Sequence, residues 1–183
     1  MFTSPKLSLS DILGRDYTQS VARANEALGV MSYAETMAIA DEKIDFFPEE
    51  KQKKCDEMLK NVGKQIMPAF ENNNKGAATA AFAHATNTSM APVTGMGCFR
   101  VGEDGKLYLI GKSEHYHTPM GHRFDGYKLI DNARRIGVVN ATHNNTRGYI
   151  TRLMEKRLVQ MANGIDWDDE ESTAKIIASE EPK

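Results

Sequence analysis

Residues 105 to 148, GKLYLIGKSEHYHTPMGHRFDGYKLIDNARRIGVVNATHNNTRG, concentrate the chemistry of the chain, and the rest is read outward from them. Four of the five histidines fall here, at His115, His117, His122 and His143, between glycines at 105, 111, 121, 126, 137 and 148. Side chains that donate, accept or titrate, set among turn residues, have the composition of loops that carry binding or catalysis on a rigid scaffold. The competing reading is a set of solvated connections.

What flanks the stretch is regular. Met96 to Val101 and Leu107 to Ile110 enclose Glu103-Asp104-Gly105-Lys106, and the Asp-Gly pair predicts a β-hairpin closed by a tight type I′ turn. Downstream, Leu129, Ile130, Ala133 and Ile136 keep helical spacing and stop before Gly137. Residues 142 to 148, THNNTRG, suit a capped loop, and the planar fork of Arg147 suits a carboxylate or a phosphate. Ile150, Leu153, Met154, Arg157, Leu158 and Met161 then predict a strong amphipathic helix, ended by Asn163-Gly164. Ile165 to Trp167 make a turn, and Asp168 to Glu171 open a last short helix.

Residues 1 to 76 read as helical and charged. Val21, Ala24 and Leu28 form a short stripe stopped by Gly29. Ser32 to Glu35, SYAE, fits a capping box for a helix running to about Asp45. Pro48 with Glu49 and Glu50 starts the next, whose apolar positions Cys55, Met58, Leu59, Val62, Ile66 and Met67 continue to Pro68. Asn72 to Gly76, NNNKG, is a loop by composition and the best internal boundary, giving segments 1–76 and 77–183. Residues 77 to 92 remain unassigned.

Composition restricts the function classes. With 183 residues the prior is a single domain, with room for an appendage. The net charge of −2, from 23 basic and 25 acidic side chains, provides no field that attracts nucleic acid or an anionic membrane. Cys55 and Cys98 lack a C-x-x-C spacing, which suits a reduced compartment. The N-terminus lacks an apolar signal region and no stretch approaches the roughly 18 apolar residues of a membrane span. A cytoplasmic protein with no nucleic-acid or membrane partner is expected.

For residues 113 to 122, SEHYHTPMGH, three readings compete. His115 and His117, with Glu114, His122 or His143, could supply ligands for zinc or iron, although an H-x-H pair without a fixed partner spacing specifies little. Nucleophilic catalysis finds no G-x-S-x-G elbow around Ser113, and Cys98 falls on a predicted strand. The third is a loop lining a site whose chemistry is supplied elsewhere.

The order of residues then matches a family pattern. Asp104, Gly105, Tyr108 and Leu109, a polar loop, Met120-Gly121-His122, Phe124, Gly126-Tyr127 and an amphipathic helix together resemble the N-terminal region of class III aminotransferases. Residues 91 to 100, APVTGMGCFR, are similar to that family's lead-in strand, and the likeness covers roughly residues 90–183. Two positions depart from it: Ile110 stands where aspartate is usual, and Asp125 where proline commonly follows.

The resemblance implies an α+β fold, mainly helical with a small hairpin sheet, as the N-terminal part of a fold type I pyridoxal-phosphate enzyme. It implies that Ser113, His115, Tyr116, His117, Gly121 and His122 line the substrate entrance as orienting contacts, with no catalytic residue among them. Thr142, Asn144, Thr146 and Arg147 would approach the cofactor of a homodimer, and no metal is implied. The Schiff-base lysine, the acid on the pyridinium nitrogen and the phosphate-binding turn belong to a large domain in this family, and no lysine here has the matching context. Truncated gene, split subunit and excised piece are equally compatible with that, and the chain alone is expected to be inactive. A small histidine-rich metal protein and a helical partner-binding module remain the alternatives.

Overall fold

The computed structural model describes residues 2–71, 79–111, 120–138, 142–143 and 146–179. Helices and small antiparallel sheets make the chain α+β. It divides into two compact units, each discontinuous: Met1–Leu7 with Lys43–Leu129, and Ser8–Glu42 with Ile130–Lys183. The boundary expected at residue 76 is thus not where the compact units separate. The reason lies in packing: Cys55, Met58 and Met67 cover the buried Phe99, Val101 and Leu107 of the hairpin, joining segments on both sides of residue 76.

The first unit begins with a two-residue ribbon, β1 (Lys6–Leu7) paired antiparallel with β2 (Ile44–Asp45). Pro48 then caps α4 (Glu49–Leu59), whose first turn carries Glu49 and Glu50 at the positive helix end. The helix stops nine residues short of Pro68. Gly63 takes a left-handed φ of 81°, and the following residues leave the helix for the hairpin edge. There Ile66 N–H donates to the Gly105 carbonyl at 2.9 Å and Leu107 N–H to that of Lys64 at 3.0 Å. Backbone pairing with an exposed sheet edge has displaced the helical continuation that the apolar spacing suggested. The unassigned stretch contains a short helix, α5 (Ala80–Ala85), capped by the Thr79 hydroxyl.

Three strands follow in sequence order: β3 (Pro92–Met96), β4 (Phe99–Gly102) and β5 (Leu107–Leu109). The expected continuous strand from Met96 to Val101 is broken. Gly97 has a φ of 57° and, with Cys98, turns the chain between Met96 and its partner Phe99. The expected hairpin is present as β4 and β5, but its turn is not type I′, which requires positive φ at both central residues. Gly105 alone adopts it, at 77°, within a four-residue connection closed by Gly102 N–H to the Lys106 carbonyl at 3.0 Å. The Tyr108 hydroxyl donates to Asp104 Oδ2 at 2.6 Å across this turn. Burial of Phe99, Val101 and Leu107 stabilises the sheet by about 1.5–3 kcal/mol per side chain.

The second unit starts with α1 (Leu9–Leu13), opened by a Ser8–Asp11 capping box, and α2 (Arg15–Leu28), ended by Gly29 at φ 69°. The Ser32–Glu35 capping box opens α3 (Tyr33–Ala40), which ends five residues before the expected Asp45 because residues 44 and 45 join β2. A short 3₁₀ turn, Asp125–Tyr127, leads into α6 (Lys128–Arg135), held by this unit from Ile130 onward, and Gly137 terminates it at φ 71°. Residues expected to form a capped loop include a minimal ribbon, β6 (Thr142–His143) with β7 (Thr146–Arg147). Then come α7 (Tyr149–Ala162) and α8 (Glu170–Ile177).

Two helix faces differ from the apolar stripes read in the sequence. On α2 the buried residues are Thr18, Ala22 and Asn25, while Leu28 is exposed. Asn25 Nδ2 donates to Thr36 Oγ1 at 3.3 Å and to the Ile136 carbonyl at 2.9 Å. On α7 the buried residues are Thr151 and Gln160, and Met154, Leu158 and Met161 are exposed. Gln160 Nε2 donates to Thr173 Oγ1 of α8 at 2.8 Å. In both cases a buried polar side chain that finds its partners selects the face, because leaving such a group unmatched costs about 1–3 kcal/mol.

Two outcomes test this account. Gly63→Ala places a side chain at a left-handed φ in open space and is expected to cost about 1–2 kcal/mol in urea unfolding. Gly105→Ala also drives a Cβ to 2.1 Å from the Met67 carbonyl oxygen, so it should lose the 63–67 edge pairing and cost clearly more. The second outcome concerns pH. The Tyr108 hydroxyl, then the Lys106 amide and charge, hold Asp104 below the usual carboxylate range, and the same hydrogen bond, then burial, raises Tyr108. The carboxylate's contribution is present above its ordinary value and lost as pH falls through the depressed one; the phenol's is present below its ordinary value and lost as pH rises through the raised one. Tyr108→Phe should therefore flatten the stability–pH curve on both limbs, below about pH 4 and above about pH 10.

Candidate functional site

The first unit contains a cavity of about 590 Å³. Its apolar wall is made by Phe2, Phe47, Met120 and Phe124, and its polar lining includes Lys51, Cys55, Cys98 and His122. Sequence positions from 2 to 124 meet there, and three local features bring them together.

The first is a backbone junction. Gly97 N–H donates to the His122 carbonyl at 2.7 Å, and His122 N–H donates back to the Gly97 carbonyl at 2.9 Å. Such a pair of hydrogen bonds is ordinary antiparallel geometry, but two neighbouring positions leave no room for a side chain. A Cβ on Gly121, whose φ is 89°, would fall 2.8 Å from the Gly97 carbonyl carbon and oxygen. A Cβ on Gly95 would fall 2.4 Å from Cδ2 of His122, so the imidazole lies over a bare Cα.

The second is an aromatic chain. Phe2 meets Phe47 at 5.4 Å, Phe47 meets Phe124 at 5.3 Å, and Phe124 meets Phe46 and Tyr127 at 5.4 Å each. Tilted and edge-on contacts of this kind contribute about 0.5–1.5 kcal/mol each beyond burial. They tie the segment after His122 to the start of α4.

The third is Lys51. Its amine, with the side chain only 18% exposed, donates to Asp125 Oδ2 at 2.6 Å and to the Arg123 carbonyl. Arg123 takes a left-handed φ, 54°, alone among the described non-glycine residues, and its guanidinium donates to Thr94 Oγ1 at 3.2 Å. The ammonium thus anchors a strained turn immediately after His122. Such strain persists only where the surroundings over-determine it.

Of the residues expected to line a substrate entrance, His122 lines this cavity and Gly121 packs on the Gly97 backbone beside it, while Ser113, His115, Tyr116 and His117 lie outside the described residues. Of those expected near a cofactor, Asn144 also lies outside them. Thr142 and Thr146 are placed in the β6–β7 ribbon by their backbones. Arg147 belongs to the second unit; its guanidinium pairs with Glu155 of α7, and its carbonyl accepts from Arg152 at 2.5 Å. The charge that would meet a phosphate there is already met by a carboxylate, so Arg147 as placed does not form a phosphate cradle. Among the described residues no group of three or more His, Cys, Asp or Glu side chains is arranged to hold a metal ion. No described helix is long and apolar enough to cross a membrane.

Lys51, Cys55, Phe47, Phe124 and the Gly97-Cys98 turn were missed by sequence reasoning. The available signal was Gly95-Met96-Gly97: glycines inside a strand run mark a close backbone approach or a bend. No family model, curated protein or solved structure matches the chain.

Gly121→Ala is expected to open the junction. Native-state hydrogen exchange should show the Gly97 and His122 amides losing protection together. Gly111→Ala, whose Cβ would meet nothing within 4 Å, should leave both unchanged. Retained protection in Gly121→Ala would mean that the glycines do not control the approach.

Proposed function

We propose that this chain is the N-terminal part of a class III, pyridoxal-phosphate-dependent aminotransferase, which moves an amino group between an amine or amino acid and a keto acid or aldehyde. Its own share of that work is to line the substrate entrance. The observation that carries the reading is the paired backbone junction of Gly97 and His122, which brings the Gly121-His122 pair of the resemblance against the turn between β3 and β4, next to the sheet that bears its Asp104-Gly105 hairpin and beside a cavity of ligand size.

When bound, the cofactor supplies the electron sink of the reaction. This chain's residues hold the substrate. His122, kept over Gly95, presents its imidazole to the cavity as an orienting contact. Phe47, Phe124 and Met120 exclude water from one wall. Lys51 has its amine engaged by Asp125 and the Arg123 carbonyl, which gives it a positioning role in place of a covalent one. Ser113, His115, Tyr116 and His117 are assigned to the entrance by their place just before Gly121. The Schiff-base lysine and the phosphate site are assigned to a large domain or second subunit, in a homodimer. A cytoplasmic enzyme is the corresponding setting.

The test is borohydride reduction of the protein with pyridoxal phosphate, followed by peptide mapping and metal analysis. No lysine of residues 1–183 should carry the cofactor, and the chain by itself should not transfer amino groups. Once the chain is assembled with a large domain, transfer should appear. Tyr116→Phe and His117→Ala should then each lower kcat/KM by roughly tenfold to a hundredfold, the effect of one lost orienting hydrogen bond, with cofactor binding retained. A cofactor adduct on a lysine of this chain would overturn the assignment. So would a stoichiometric zinc or iron ion released by both His115→Ala and His117→Ala.

A further inference from the structure

The two cysteines of the chain, 43 positions apart by number, face the same cavity. Cys55 projects from α4 and is partly buried, whereas Cys98 sits in the β3–β4 turn and is exposed. Cys55 Sγ lies 3.8 Å from the point where a Cβ on Gly97 would stand, so the turn carries Cys98 within one residue's reach of it. The turn is held in place by the hydrogen bonds between Gly97 and His122, and the Cys98 carbonyl accepts from Ile110 N–H at 2.7 Å. A strand position for Cys98 would have left the pair unremarkable; the turn places it at the rim.

We propose that Cys55 and Cys98 form a paired thiol site that a hydroperoxide oxidises to a reversible intramolecular disulfide across this cavity. The accessible Cys98 thiolate attacks the peroxide oxygen, the O–O bond breaks, and Cys98 becomes a sulfenic acid with release of hydroxide or alkoxide. The Cys55 thiol then attacks the Cys98 sulfur and displaces water, its proton going to the leaving oxygen. Two thiols and one hydroperoxide give one disulfide, one water and one alcohol, or two waters when the oxidant is hydrogen peroxide. Reduction by a dithiol reverses the change.

The division of roles follows from the surroundings. Burial, and then the charge of Cys98, push the Cys55 thiol up, which disfavours its thiolate and leaves the first attack on the peroxide to Cys98. Exposure suits Cys98 to the first. The resulting bond ties α4 to the β3–β4 turn through two residues that line the cavity, so oxidation narrows the space beside His122.

The experiment treats the purified chain with hydrogen peroxide over a range of protein concentrations. Intact mass and peptide mapping are then done without reductant. The expected product is a monomer lighter by two hydrogens, with Cys55 and Cys98 peptides linked, formed at a rate independent of protein concentration and restored by dithiothreitol. In Cys55→Ser the oxidised chain should carry a Cys98 sulfenic acid that dimedone traps, and in Cys98→Ser the Cys55 thiol should remain titratable. Disulfide-linked dimers, sulfinic acid on Cys98 with Cys55 still a free thiol, or no reaction at all in the wild-type chain would each overturn the proposal. The wild-type result stands whether or not either variant folds.

Discussion

The cavity depends on a steric constraint more than on an attraction. Two backbone hydrogen bonds join Gly97 and His122, and each contributes only about 0.5–1.5 kcal/mol net. They form because Gly95 and Gly121 present no Cβ where the two segments meet, while Gly97 takes the left-handed φ of the turn. Once the segments touch, the remaining features follow by geometry. His122 is laid over Gly95, Arg123 is forced to a positive φ, and Lys51 is drawn to the Arg123 carbonyl and to Asp125. Phe124 then reaches Phe46 and Phe47. A weakly attractive contact with no tolerance for volume thus positions a cluster of polar and aromatic groups.

The second unit follows a different rule. Its fully buried side chains include Thr18, Thr36, Asn132, Gln160 and Thr173, each hydrogen-bonded within the unit. Tyr17 stacks on Tyr149 at 4.2 Å, and the Tyr149 hydroxyl donates to the Leu13 carbonyl at 2.6 Å. Small apolar residues fill the close approaches, with Ala22 and Ala40 wholly buried. Packing of this kind depends on matched donors and acceptors, which makes it less forgiving of substitution than an aliphatic core. It also leaves Met154, Leu158 and Met161 of α7 exposed, while Arg157 stacks 4.7 Å over the Trp167 ring.

This contrast explains what could be read in advance. Chain punctuation was legible, because caps and turns are local chemistry: the Ser32–Glu35 box, Gly29, the hairpin around Gly105 and the stop at Asn163-Gly164 are all present. Helix faces were less legible. Apolar spacing on α2 and α7 pointed to Leu28, Leu158 and Met161, whereas the buried faces are chosen by Asn25 and Gln160, whose partners lie on other elements. Gly121 and His122 could be singled out from their motif, but the cavity itself could not. Its lining is drawn from residues 2 to 124, and Cys98 enters it only because a strand that looked continuous turns at Gly97.

The positions where the chain departs from the aminotransferase pattern carry the most local information. Where that pattern has aspartate, Ile110 uses its backbone N–H to hold the Cys98 carbonyl at 2.7 Å, extending the ladder beside the cysteine turn. Where proline commonly follows the Gly-His pair, Asp125 offers a carboxylate to Lys51 at 2.6 Å, an interaction that proline cannot make. Proline would restrict φ at that point without holding a charge; aspartate instead recruits the α4 amine, which also reaches the Arg123 carbonyl. Both departures hold a residue that lines the cavity, Ile110 holding Cys98 and Asp125 holding Lys51. The cavity is therefore fastened by an ion pair on one side and a strand-edge hydrogen bond on the other, next to the turn and the histidine that meet through Gly97.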